Sequence, residues 1–187
     1  MLYSVAGSQG TGKSTVLSDL SQKYKTVTRK TSRSILSDWG VSLSEVNNDH
    51  KLTIKFQEEI LKRKIEDEKD ALQSEEVWFT ERTYADLFVY ALVTLGKDNE
   101  YSNWLDEYYE RCRAAQLNYT HIFFLTAGHF TPVNDGVRGI NKYYSKMVDM
   151  TMSYFTHNMC DNITTVYTPV QQERIELIER AVLSYTK

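Results

Sequence analysis

Short apolar runs alternate with longer segments that are apolar on one side only. Leu2 to Ala6 is a short, mainly apolar run that predicts a buried strand. Thr15 to Tyr24 carries Val16, Leu17 and Leu20 at helical spacing. Lys25 to Thr28 reads as a short second strand, and Thr31 to Trp39 as a short helix closed by Gly40. Asn47-Asn48-Asp49 precedes a long helical pattern from about His50 to Gln73, which it is placed to cap. Leu52, Ile54, Phe56, Ile60, Leu61 and Ile65 mark the expected apolar face of that helix. Glu58-Glu59 and Lys62-Arg63-Lys64 mark the expected solvent face. Glu76 to Thr80 predicts a third strand, and Tyr84 to Leu95 a helix stopped by Gly96. A helix over Trp104–Leu117, a strand over Thr120–Thr126, a loop over Gly128–Gly139 and a helix over Lys142–His157 follow. A strand over Ile163–Thr168 and an amphipathic helix over Val170–Tyr185 complete the chain. Strands alternating with helices predict an α/β fold: three layers, α/β/α, around a mostly parallel five-stranded sheet. Ligands of such folds bind beyond the carboxyl ends of the strands.

The residues after the first strand suit that place. Gly7-Ser8-Gln9-Gly10-Thr11-Gly12-Lys13-Ser14 fits the phosphate-binding P-loop pattern, and Thr15 continues it into a helix. Glycines let the backbone wrap an anion without Cβ clashes. Loop and helix N-terminal N–H groups then face the phosphates. Lys13 is expected to reach the β- and γ-phosphates, and Ser14 to offer its hydroxyl to Mg²⁺.

Size and charge narrow the class. The chain of 187 residues, 41% hydrophobic and 25% charged, is of ordinary size for one globular domain. The formal net charge of -3 argues against a dedicated nucleic-acid binder, though a local basic groove remains compatible with it. Cys112 and Cys160 have neither metal-ligand nor redox spacing, as in a reducing, cytoplasmic setting. His50, His121, His129 and His157 show no metal spacing. No apolar run is long enough to span a bilayer, no signal peptide is expected, and neither linker nor repeat divides residues 1–187.

Other chemistry-bearing residues cluster after strands. Glu81-Arg82-Thr83-Tyr84-Ala85-Asp86 follows the third strand. A carboxylate there can hold Mg²⁺ or take a proton from an acceptor hydroxyl, and a guanidinium can bind an anion bidentately. The alternative is a helix start, with Thr83 as N-cap and Asp86 in the first turn. Arg29 and Arg33 follow the second strand and suit an anionic acceptor, or else are solvated charge. In the long helix, the Gln57 amide can read a base edge, while Phe56 either stacks on the ring or fills the core. Arg138, between Gly136 and Gly139, suits a lid of about residues 128–145 that brings positive charge onto a transferring phosphoryl group.

The series GSQGTGKST, RKTSRSILSDWG, IKFQEEIL, VWFTERTYAD and NDGVR resembles, in that order, the small P-loop kinases of the nucleoside and nucleotide kinase group. It is most similar to the P-loop family that includes the nicotinamide riboside kinase domain of bacterial NAD-biosynthesis proteins and many phage proteins. The resemblance implies an ATP- and Mg²⁺-dependent phosphotransferase with a helical lid. It implies phosphate and metal roles for Lys13 and Ser14, an acidic-Arg pair at Glu81-Arg82, a lid arginine at Arg138, and base reading by Phe56-Gln57. Deoxynucleoside kinases carry a glutamate at the end of the second strand as general base; this chain reads Thr28-Arg29-Lys30 there. That departure is similar to thymidylate kinases, where an arginine holds the acceptor monophosphate. The expected acceptor is therefore a (deoxy)nucleoside monophosphate, a small molecule, and a homodimer is compatible with the pattern. The alternatives are a nucleoside or nicotinamide riboside kinase with Glu81 or Asp86 as base, a phage-type kinase of hydroxymethylpyrimidine in DNA, and a nucleotide-binding regulator or NTPase.

Overall fold

A computed structural model describes residues 1–27, 31–128 and 141–185. Five strands form one sheet: β1 (Leu2–Ala6), β2 (Lys25–Val27), β3 (Trp78–Glu81), β4 (His121–Leu125) and β5 (Ile163–Val166). Their order is β2-β3-β1-β4-β5, and every pairing is parallel. The helices are α1 (Lys13–Leu20), α2 (Thr31–Trp39), α3 (Leu43–Asn48), α4 (His50–Gln73), α5 (Tyr84–Leu95), α6 (Ser102–Gln116), α7 (Lys142–Met159) and α8 (Gln171–Tyr185). A single 3₁₀ turn, Asn99–Tyr101, precedes α6. No helix among the described residues is long and apolar enough to cross a membrane.

Alternation along the strands builds the three layers. Leu2, Ala6, Ile122 and Phe124 face one apolar cluster, into which helices α2 to α7 contribute Ile35, Val46, Phe56, Phe88, Tyr108 and Met152. Tyr3, Val5, Phe123 and Leu125 face the other, filled by Val16, Leu17 and Leu20 of α1 and Ile178 and Val182 of α8. A strand buried on both faces is a nearly continuous apolar run, which is why β1 and β4 are legible by composition alone.

The boundaries differ from expectation where local chemistry intervenes. Helix α1 begins at Lys13 rather than Thr15, because Gly12 ends the loop in a left-handed conformation and the helix starts at once. It ends at Leu20, with residues 21–24 turning toward β2. Strand β3 begins two residues later than predicted and ends one later, so that it includes Glu81, whose Cα is in register with Val5. Helix α3 is not in the sequence reading. Its signal is a capping box: Ser42 accepts from the Glu45 amide and the Glu45 carboxylate accepts from the Ser42 amide. Asp49 caps α4 as expected, accepting from the amides of Lys51 and Leu52.

Helix α4 is rotated relative to its predicted face. Ile65 is 47% exposed, while Gln57, Lys64 and Glu68 are buried beside Ile60, Leu61 and Ala71. Arg63 takes the solvent side, pairing with Glu59 and Asp38. Gln57, Lys64 and Glu68 therefore point inward on the helix that packs against α5 and under the end of β3.

Candidate active site

The P-loop connects the end of β1 to α1. Gly7, Gly10 and Gly12 all have positive φ, at 134°, 78° and 88°. At Gly7 a Cβ would come within 2.5 Å of the Leu125 carbonyl oxygen, so the loop packs against β4 with no room for a side chain. Gly12 supplies no side-chain cap to α1. The first amides of that helix thus suit an anion rather than a capping hydroxyl. Thr11 Oγ1 donates to the Ser8 carbonyl at 3.0 Å, and Lys13 Nζ donates to the same carbonyl at 2.7 Å. A cradle without Cβ atoms, a helix N-terminus and a buried lysine together fit a phosphate chain.

A second anchor fixes the loop from behind. Arg174 of α8 is fully buried, and burial lowers its pKa. Its Nη1 donates to the Thr11 carbonyl at 2.7 Å and its Nε to the Thr168 carbonyl at 2.6 Å. The residue lies on the buried face of an amphipathic helix, where its sequence position alone did not mark it.

On the neighbouring strand, Ser14 Oγ donates to Glu81 Oε2 at 3.5 Å. This contact joins the first turn of α1 to the last residue of β3. A serine hydroxyl and a carboxylate at that separation are the oxygen donors a divalent cation such as Mg²⁺ takes one or two of, the rest being water and phosphate. Among the described residues there is no group of three or more His, Cys, Asp or Glu that could hold a metal by itself.

Arg82 departs from strand geometry. Its φ is 69°, the positive value among described residues other than glycine. Its amide donates to the Val5 carbonyl at 3.0 Å, and the Arg82 carbonyl accepts from Ser4 Oγ at 2.8 Å. The guanidinium lies 3.7 Å from Asp86 Oδ2 and over the Tyr90 ring, 5.6 Å from its centroid. Burial pulls its pKa down, but Tyr90, Asp86 and Glu81 outweigh that and raise it, so the group stays cationic.

Asp86 is fully buried. Its Oδ1 accepts from the Thr83 hydroxyl at 2.7 Å, and its amide donates back to Thr83 Oγ1 at 3.3 Å. Burial pushes its carboxyl above the ordinary range, against the pull of Arg82, Lys13, the Thr83 hydroxyl and Lys64. This is the helix-start role of the sequence reading, and its second oxygen has no hydrogen-bond partner.

The acceptor-side candidates divide. Phe56 is 3% exposed and packs edge-on to Trp39 within the apolar cluster, the packing role among its two readings. Gln57 is 5% exposed, and its Oε1 is buried with no hydrogen-bond partner. An unpaired buried amide oxygen is costly unless something else is meant to fill it. Arg33 is exposed in the first turn of α2. Arg29 and Arg138 lie outside the described residues, as does most of the expected lid. Lys142 to Ser145, its last part, forms the first turn of α7, capped by Asn141. His121 and His157 are hydrogen-bonded between α8 or α7 and β5, away from this edge.

The model of a family described as an AAA domain matches residues 2–176. The chain belongs to that family. No curated protein matches the sequence significantly. Among solved structures, this AAA domain is similar to deoxyadenosine kinase from M. mycoides with bound dATP. The TM-score is 0.75 at 18% identity, over 97% of this chain and 99% of that one. It is similar to the NadR protein in complex with NR, with a TM-score of 0.74 at 16% identity, over 99% of this chain and 51% of NadR. Shikimate kinase from Acinetobacter baumannii with shikimate matches at a TM-score of 0.56 and 10% identity, over 98% of this chain and 93% of that one. These likenesses establish the fold as that of small P-loop kinases.

Proposed function

We propose that this AAA domain is an ATP-dependent phosphotransferase acting on a small nucleotide-type acceptor. The observation that carries the reading is the juxtaposition of Ser14 and Glu81, 3.5 Å apart where β3 ends beside the P-loop. A P-loop alone binds phosphate; a carboxylate set against its serine, followed by a cationic Arg82, is equipment for moving one. Lys13 reaches the β- and γ-phosphates, and the loop and α1 amides hold their oxygens. Arg82, and Arg138 from the lid, add positive charge to the transferring group. Ser14 and Glu81 are the residues to hold Mg²⁺, which when bound neutralises phosphate charge. Positioning and electrostatics supply most of the rate in such transfers.

The acceptor read first is a (deoxy)nucleoside monophosphate. Arg33 and Arg29 bind its phosphate, and Gln57 reads its base through the unpartnered Oε1. An ionised phosphate needs no strong base, which suits a chain whose second buried carboxylate, Asp86, is engaged by Thr83 and Arg82. A nucleoside hydroxyl is the second reading. It is favoured by Glu81, a carboxylate only partly buried at this edge, which could take the proton. Lys13→Ala is expected to abolish ADP formation, and Glu81→Ala to reduce it by at least about a hundredfold. Turnover at the wild-type rate in either variant contradicts the assignment. Arg33→Ala separates the acceptors: it raises KM for a monophosphate and leaves KM for a nucleoside unchanged.

A further inference from the structure

An ion pair buried in α4 is tied to the same strand end. Lys64 Nζ and Glu68 Oε1 are 2.7 Å apart, with the two side chains 9% and 1% exposed. Both members of the pair make further hydrogen bonds. Glu68 accepts from the Tyr84 hydroxyl at 2.7 Å, and from the Tyr119 hydroxyl at 3.0 and 3.2 Å on its two oxygens. Besides Glu68, Lys64 donates to Thr80 Oγ1 at 3.3 Å and to the backbone carbonyl of Glu81 at 3.2 Å. An ammonium has three protons, and all three are committed.

A buried pair of this kind is weak support for stability, since desolvation offsets most of the attraction. Geometry is what it supplies here. The Glu81 carbonyl belongs to the peptide that leads into Arg82, the residue at φ 69°. Such a conformation persists when its surroundings over-determine it. Three contacts do so: Lys64 on the Glu81 carbonyl, the Val5 carbonyl on the Arg82 amide, and the Ser4 hydroxyl on the Arg82 carbonyl. The first of these comes from outside the sheet. The turn they fix sends the Glu81 side chain toward Ser14 and the Arg82 side chain toward Asp86 and Tyr90.

We infer that Lys64, held by its ion pair with Glu68, is a positioning residue for the Glu81–Arg82 turn and through it for the Glu81 carboxylate. This rests on the reading that Ser14 and Glu81 hold the divalent cation that accompanies the nucleotide. Lys64 touches neither nucleotide nor metal; it acts on a backbone carbonyl.

The test is calorimetric binding of ATP to the full chain, with Mg²⁺ and with the metal chelated. The ratio of the two affinities isolates the metal's contribution. The variants are Glu81→Gln, the double variant Lys64→Met/Glu68→Gln, which leaves no lone buried charge, and the three substitutions combined. The double variant is expected to lower the ratio about tenfold, as loss of a supporting contact behind a metal ligand does, with metal-free ATP affinity unchanged. Glu81→Gln is expected to do the same, and the combination to lose no more than either. Lys64→Arg keeps the buried charge but not a single ammonium at the carbonyl, and is expected to show the same loss. It serves if the double variant does not fold. Tyr119→Phe, which leaves Lys64 in place, should lower Tm without moving the ratio. A wild-type ratio in a folded Lys64 variant, or losses that add in the combination, overturns the positioning role alone. A wild-type ratio in Glu81→Gln overturns the metal reading of Glu81 and the positioning role with it.

Discussion

The Arg174 guanidinium donates a 2.7 Å hydrogen bond to the Thr11 carbonyl, tying α8 to the phosphate-binding loop. The same side chain holds the Thr168 carbonyl after β5. The loop is thus braced on the side away from its anion, by a fork that only arginine can form. Arg174→Lys keeps the charge and loses the fork. It is expected to weaken ATP binding about tenfold, as loss of a supporting contact does in other pre-organised sites, without changing the acceptor's KM. Titration calorimetry with ATP checks this, and unchanged affinity would show that the brace serves only the fold.

Gly7 sits where β1 gives way to the loop, with φ at 134° and the Leu125 carbonyl 2.5 Å from the position a Cβ would take. Gly7→Ala costs about 1–3 kcal/mol for the backbone conformation alone. The clash with β4 backbone adds to that, and the loop must shift. Chemical denaturation should show the loss of stability, and ATP binding should fall with it. A variant as stable as the parent would mean that the loop has a second conformation free of this contact.

At Gln57 stability and function are expected to move in opposite directions. Its Oε1 is buried and unpartnered, so Gln57→Met removes an unsatisfied acceptor and should hold or raise stability, by up to about 1 kcal/mol. The same change should raise the acceptor's KM about tenfold while KM for ATP stays put. Lower stability with an unchanged acceptor KM would assign Gln57 to packing instead.

His121 gives the fold a pH dependence of known sign. Its ring is buried, hydrogen-bonded to the Tyr185 hydroxyl at 3.0 Å and to Thr164 Oγ1 at 2.9 Å. Burial lowers its pKa below the ordinary histidine value of 6.5. The unfolded chain therefore binds this proton at a higher pH than the folded one. The contribution is complete above about pH 6.5 and is lost as pH falls from there through the folded pKa. Tm should decline between about pH 7 and pH 5, and His121→Asn should flatten that segment. An equal slope in the variant would place the responsible group elsewhere.

The parts legible in the sequence are those set by local pattern. Continuous apolar runs gave β1 and β4, the glycine spacing gave the loop, and Asp49 announced α4. What the sequence hid depends on contacts between distant segments. Lys64 stands in a run, Lys62-Arg63-Lys64, that reads as solvent-facing, and its burial depends on Glu68, Thr80 and the Glu81 carbonyl, which satisfy its ammonium. Arg174 is hidden for the same reason: two of its hydrogen bonds go to backbone carbonyls, which no side-chain pattern records. Asp86 shows the opposite case, since its helix-start role is written three residues after Thr83 and the structure has that cap. Helix α3 has a signal in the sequence, the capping-box spacing of Ser42 and Glu45, but it is a short signal without a long apolar run behind it.

The central claim is phosphoryl transfer to a nucleotide-type acceptor, and one assay meets it directly. ADP release from ATP and Mg²⁺ is followed across nucleosides, nicotinamide riboside, the common (d)NMPs, and hydroxymethylated nucleotides or DNA containing them. The account predicts turnover that depends on an added acceptor, strongest with one monophosphate. Release that proceeds equally without any acceptor, or none with any of them, would contradict it.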